Sequence, residues 1–224
     1  MLWRCVEKLD PFLKKIYQKL VTAPVPNLKG DRDLEYTWIE ANMPRQKGRA
    51  LGFGCGTSSL PLFAARLGFN VTAVDLVQVP EFYKYDGLEF LYGDFLEMDF
   101  QTESFDLIIN ASAIEHVGIS GRYEVSDDRE DGDIAVSKKL YNVLKPGGVM
   151  LLTIPVGQDA VFAPLHRVYG EERLPKLLEG WKIVKEEYWV KDNDNMWSKV
   201  ERDPALKKKP LIHCYGLGLY VLEK

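Results

Sequence analysis

RALGFGCGTSSLPLFAARLGFNVTAVD, residues Arg49 to Asp75, decides the fold. Apolar residues Ala50, Leu51 and Phe53 run into a glycine-rich turn. A helical pattern follows, and a second apolar run, Val71, Ala73 and Val74, ends on an acid. Strand, loop, helix and strand in this length make one parallel crossover. Glycines at 52, 54 and 56 let the backbone pass close beneath a ligand with its amides facing it. Asp75, 19 residues after Gly56, falls at the tip of the second strand, where a carboxylate accepts both hydroxyls of a ribose. The stretch predicts a nucleoside-bearing cofactor.

Downstream the alternation of strand and helix continues, the mark of an α/β domain with a parallel sheet. Strands are expected at Arg49 to Phe53, Asn70 to Val74, 88–92, Phe105 to Asn110 and Val149 to Ile154. The helix between the first two spans Ser59 to Leu67 and is ended by Gly68. A second, over 133–144, is stopped by Pro146-Gly147-Gly148. Trp181 to Val190 alternates with period two, and His213 to Leu222 is its expected antiparallel partner, which makes seven strands. Lys191 to Pro210 between them reads as a long polar loop.

Upstream, Asp33 to Asn42 reads as a helix with Leu34, Trp38 and Ile39 on one side. Leu2 to Leu20 is amphipathic at helical spacing, and Thr22 to Lys29, with two prolines, is a connector. We expect a single domain over 1–224, with a helical cap at 1–47 and a Rossmann-like core at 48–224. The fold class is a three-layer α/β sandwich on a mostly parallel seven-stranded sheet whose last strand is antiparallel.

The 224 residues are 46% hydrophobic, enough for one sizeable core. A net charge of −4 argues against a nucleic-acid partner, which asks for a basic face. Three cysteines, Cys5, Cys55 and Cys214, have neither disulfide-framework nor zinc spacing. No run approaches the ~20 apolar residues of a membrane span. The expected location is cytoplasmic, without stable membrane insertion.

A nicotinamide-binding loop places a third glycine where Ser59 stands. The wider register is Asp75, then Gly93-Asp94-Phe95, Phe105-Asp106 and Lys145-Pro146-Gly147-Gly148. In this register the chain resembles class I S-adenosylmethionine-dependent methyltransferases. The resemblance implies that Gly54, Cys55 and Gly56 line the methionine part of the cofactor. It also implies that Asp75 and Leu76 meet its ribose, that Asp94 and Phe95 meet its adenine, and that Asn110 and Ala111 face the sulfonium. Two residues depart from the pattern. Gly52 stands where these enzymes carry an acid that fixes the cofactor's amino group, and Ser58 where they carry a glycine. Further on, SAIEHVGISGR (Ser112 to Arg122), Gly132-Asp133, IPVGQDAVFAPLHRVYG (Ile154 to Gly170) and Arg173-Leu174-Pro175 are similar to a methyltransferase-like family of unassigned function in worms and microbes.

Methyl transfer to a hydroxyl needs alignment and a base. His116, just beyond strand four, is the expected base; in the alternative, Glu115 and His116 only order their loop. Glu115-His116 also resembles methyltransferases that hold a divalent metal on Glu-x-x-Glu-His, but Ser112 replaces the first glutamate, so no metal is expected. The acidic loop of Asp127, Asp128, Glu130, Asp131 and Asp133 reads as a solvated lid, with Asp133 the N-cap of the next helix. His166 and Arg167 follow strand five at the same sheet edge, Arg167 to hold an anionic acceptor group and His166 as an alternative base. The other reading of this pair is an interior polar network. The expected reaction is transfer of a methyl from S-adenosylmethionine to an oxygen of a sugar or other small polar acceptor. Three alternatives stay open: a non-catalytic cofactor-binding domain on account of Gly52, a nicotinamide-dependent oxidoreductase, and a peripheral membrane protein on account of the first helix.

Overall fold

A computed structural model describes residues 30–81, 83–121, 123, 125, 127–191 and 196–224. The amphipathic segment at 2–20, the connector at 22–29 and Arg122 lie outside the described residues.

The crossover forms as its residues predict. After helix α1 (Asp31–Asn42) come β1 (Gly48–Phe53), α2 (Leu60–Arg66) and β2 (Phe69–Asp75). A proline in the first turn of α2 forfeits no intrahelical bond there, and Gly68 leaves the helix at φ +105°. β3 (Leu88–Tyr92), β4 (Phe105–Ala111), α3 (Gly132–Val143) and β5 (Leu144–Val156) follow. β5 begins earlier than the apolar run because the Pro146-Gly147-Gly148 turn stays paired with the chain's last residue, Gly148 O accepting from Lys224 N at 3.3 Å. Next are β6 (Ala160–Phe162), β7 (His166–Val168), α4 (Arg173–Leu177), β8 (Lys182–Lys191), β9 (Trp197–Val200), α5 (Arg202–Leu206) and β10 (Gly216–Glu223).

The main sheet runs β3-β2-β1-β4-β5-β10-β8-β9. The first five strands are mutually parallel, and β10 lies antiparallel between β5 and β8, as expected. The sheet has eight strands rather than seven. Part of the expected Lys191 to Pro210 loop pairs backbone to backbone with the β8 edge, Trp197 opposite Lys191 and Val200 opposite Tyr188. β6 and β7 form a separate antiparallel pair.

Both faces of the sheet are covered, which is why β1, β4 and β5 read as apolar runs rather than alternating ones. On one face Leu51, Ile108 and Leu152 pack with Val136 and Leu140 of α3 and Leu174 and Leu177 of α4. On the other Ala50, Leu107 and Ile109 pack with Trp38 and Ile39 of α1 and Leu60 and Ala64 of α2. Strand order reverses between β1 and β4, and the crevice at their C-terminal ends is where such sheets bind ligands. No helix among the described residues is long and apolar enough to cross a membrane.

Candidate functional site

The crevice is a cleft of about 640 Å³, within the range of small-molecule sites. Its floor is the loop after β1. Gly54 takes φ +59°, and a Cβ there would meet the Ala113 Cβ at 2.4 Å. Gly56 takes φ +49° with nothing within 4 Å of an added Cβ, so its backbone faces open space. Both positions need glycine, one for crowding and conformation, the other for conformation alone. Asp75 at the tip of β2 accepts from Gly56 N at 2.7 Å and Val77 N at 3.4 Å, tying the loop to the strand. Cys55 is buried, and burial together with the Asp75 carboxylate pushes its thiol up to about 12, so it is a neutral wall group.

Leu76, Asp94, Phe95 and Ala111 line the same cleft. Asp94 accepts from Leu96 N at 2.9 Å through one oxygen and from Arg129 Nη1 at 2.9 Å through the other. The Phe95 ring stands edge-on to Phe53, 5.1 Å between centroids. Thus Gly54, Cys55, Gly56, Asp75, Leu76, Asp94, Phe95 and Ala111 meet around one cavity. Asn110 does not. It is fully buried, and its Oδ1 turns back to accept from Ile114 N at 3.4 Å, ordering the turn beyond β4. Gly52 also lines the cleft, and an added Cβ there would meet nothing closer than Pro61 Cγ at 3.4 Å. The absent acid is therefore not a steric necessity.

Beyond β4 the chain turns sharply: Ser112 has φ +45°, uncommon outside glycine, and a 3₁₀ turn, Ile114–His116, follows. This turn brings His116 to the cleft wall. Its Nδ1 lies 2.5 Å from the Leu165 carbonyl, which sets Nδ1 as the protonated nitrogen and Nε2 as the basic one. Glu115 beneath it is buried, with Oε1 3.8 Å from Nε2. Burial pushes the Glu115 carboxyl up to about 8, and the Glu35 carboxylate adds to the effect.

His166 lies near His116, 6.5 Å between ring centroids, but is buried between Phe162 and Tyr215 and does not line the cleft. Arg167 is 3% exposed and also points away from it. Its guanidinium donates to the carbonyls of Val117, Gly118, Arg129 and Glu130, stapling the segment after the 3₁₀ turn to the acidic loop. The expected anion-holding role gives way to an interior network, because β7 turns this side chain inward. Asp133 belongs to that network too. Asp131 holds the N-cap position of α3, while Asp133 is fully buried and takes a two-pronged pair with Arg173 (2.9 and 2.6 Å) and a bond from Tyr169 Oη (3.0 Å). Among the described residues no group of acids, histidines and cysteines is arranged to hold a metal.

Two cleft residues, Arg32 and Tyr36, and the acid that positions the first were not read from sequence. All lie on α1. Glu35 is fully buried and accepts from Thr153 Oγ1 at 2.8 Å, from Ser112 Oγ, and from Arg32 Nη1 at 2.9 Å. A spacing signal existed, since Glu35 stands three and four residues before the buried Trp38 and Ile39. The cleft's loop, its two strand-tip acids and its aromatic wall fit a nucleoside carrying an amino-acid arm.

Residues 77–209 match the family described as "Caenorhabditis protein of unknown function, DUF268". The chain is 30% identical over 152 residues to the ubiquinone biosynthesis O-methyltransferase of Xanthomonas oryzae pv. oryzae, covering 63% of this chain. It spans about half of that protein's length, 56%. Among solved structures, 1,6-didemethyltoxoflavin-N1-methyltransferase of Burkholderia thailandensis superposes with TM-score 0.60 at 16% identity, over 99% of this chain and 89% of that one. The cyclase SpnF superposes with TM-score 0.58 at 16% identity, over 86% and 80%. The fold is that of class I S-adenosylmethionine-dependent methyltransferases, and a cyclase on the same fold marks how little the fold alone says of the reaction.

Proposed function

The chain belongs to the family described as Caenorhabditis protein of unknown function, DUF268, and on that premise we propose that it is an S-adenosylmethionine-dependent methyltransferase acting on an oxygen of a small polar acceptor, with a sugar or comparable metabolite as the expected class. The observation that carries this reading is His116 beside the nucleoside cleft, its tautomer held by Leu165 O and its Nε2 basic.

Each residue's task follows from its place. The glycine loop lines the methionine arm, Asp75 holds the ribose, and Asp94 takes the adenine amine on the oxygen it shares with Arg129. Ala111 and Ser112 wall the reacting centre. When bound, S-adenosylmethionine supplies an electrophilic methyl on a sulfonium. His116 receives the acceptor's proton at Nε2 as its hydroxyl oxygen attacks, a contribution of typically ~10²- to 10⁴-fold. The O-methyltransferase relative supports oxygen as the acceptor atom.

Calorimetry with S-adenosylmethionine and S-adenosylhomocysteine, followed by transfer of labelled methyl to a panel of sugars and phenols, tests this. His116→Ala is expected to lower kcat by ~10²-fold or more while leaving the affinity for S-adenosylhomocysteine within about twofold. Absence of binding by either compound at millimolar concentration would sink the proposal.

A further inference from the structure

We infer that the β3 edge of the sheet is a docking site for an extended, basic segment of a partner protein, which adds to the sheet as a further strand. The inference is independent of the methyltransferase reading.

A strand at the rim of a sheet presents unpaired amides and carbonyls, and proteins blunt a rim they do not use with lysine, proline, a bulge or a very short strand. The two rims of this sheet differ. At one, β9 is four residues long and covers β8 only from Tyr188 to Lys191. The rest of β8 carries Lys182 and Lys185, and its register shifts opposite Val221 and Leu222. β3 has none of these devices. It reads LEFLY, in unbroken register with Val71 to Asp75, and Leu91 is 38% exposed. Gly87 O accepts from Val71 N at 2.7 Å, and Gly93 N donates to Asp75 O at 2.9 Å. These bonds turn 87, 89, 91 and 93 toward β2, so the N–H and C=O groups of Phe90 and Tyr92 point outward. Among the described residues no backbone group bonds to them.

The crossover from β2 to β3, residues 76–87, forms no helix among its described residues, and a groove of about 920 Å³ stays open beside β3. Phe69, Tyr83 and Phe90 give it an apolar floor, with 6.0 Å between the Tyr83 and Phe90 rings. Its charged residues are Glu81, Asp86 and Glu89 against Lys84. Phe82, the residue of this crossover that lies outside the described set, carries no charge. This balance selects the occupant. Two copies joined about a two-fold axis at Phe90 would set Asp86 opposite Asp94 of the second copy, acid against acid. Five residues a side also fall short of the about 20–30 a side of a stable protein interface. A single extended segment instead binds through main-chain bonds and alternate side chains, and lysine or arginine among its β-branched residues answers the acids.

The test is amide hydrogen exchange on the full chain, read by NMR, with the synthetic peptide (Lys-Val)4 as probe. Its controls are (Glu-Val)4, of opposite charge, and (Lys-Gly)4, of equal charge but poor strand propensity. (Lys-Val)4 at saturation should slow exchange of the Phe90 and Tyr92 amides by roughly 10-fold or more, and the controls by less than about twofold. Leu91→Lys and Asp86→Lys, both at exposed positions, should keep the urea midpoint and weaken (Lys-Val)4 by about fivefold or more. The inference is overturned if the two amides stay unprotected, if either control protects them equally, or if neither variant weakens the peptide. Protection without peptide that grows with protein concentration would assign the edge to a second copy. Protection without peptide that is lost on deletion of residues 1–29 would assign it to the chain's own N-terminal segment; either result overturns the inference.

Discussion

Glu115 lies under His116 as a buried carboxyl raised by burial to about 8, against 4.5 for an ordinary glutamate. The folded protein therefore keeps a proton that the unfolded chain releases between those values. Stability from this group is full below about pH 4.5, declines as pH rises, and has been lost once pH passes about 8. Glu115→Gln carries the neutral form at every pH. Its urea midpoint is expected to gain on wild type progressively from about pH 4.5 to 8 and then to hold a constant lead. A lead that does not change with pH would mean that Glu115 is already ionised in the fold. His116 was legible from its place after the fourth strand, while the burial of its neighbour was not, because a glutamate in a short polar-looking turn carries no periodic signal.

At the scale of elements, α1 does more than cover the cleft. Its apolar face reads in the sequence as Leu34, Trp38 and Ile39, yet the buried positions are Glu35, Trp38 and Ile39, and Leu34 is only half-buried. Glu35 crosses to the ends of β4 and β5, so the helix is pinned to the sheet by a carboxylate as well as by packing. Glu35→Ala leaves the Ser112 and Thr153 hydroxyls and one Arg32 donor without their acceptor. It is expected to cost about 2–4 kcal/mol in urea unfolding and to weaken S-adenosylhomocysteine binding along with it. Unchanged stability in this variant would mean that water replaces the carboxylate. Two of the markers that suggested the fold, Phe105-Asp106 and Lys145 to Gly148, sit at the other end of the sheet. Lys145 reaches both Asp106 oxygens at 2.8 Å, and Arg49 N donates to Asp106 at 2.8 Å, where β1, β4 and β5 begin. Their order in the sequence is diagnostic because they hold strand starts in register, away from the chemistry.

For the whole molecule, the cleft is assembled from the β1 loop, two strand tips, the turn after β4, the acidic loop and α1, so a ligand seated in it joins parts that otherwise meet only through the sheet. S-adenosylhomocysteine at a hundredfold excess over its Kd is expected to add about 2.7 kcal/mol of stability, read as a rise in Tm, and 5′-methylthioadenosine less at equal concentration. No shift with either would argue against a preformed nucleoside cleft. The crossover at Arg49 to Asp75, the positive-φ glycines and the strand-tip acids Asp75 and Asp94 follow from the sequence by itself. Hydrophobic period and backbone conformation are local properties, and a residue at a strand's C-terminal end can only lie at the edge of a parallel sheet. Only the tertiary structure decided that Arg167 and Asp133 turn inward, that Asn110 bonds its own turn, and that Arg32 faces the cleft. Those outcomes depend on which segments meet: Glu35 is 77 residues from Ser112 and 118 from Thr153, and pairing over that distance is set by packing across the sheet, which no local pattern records.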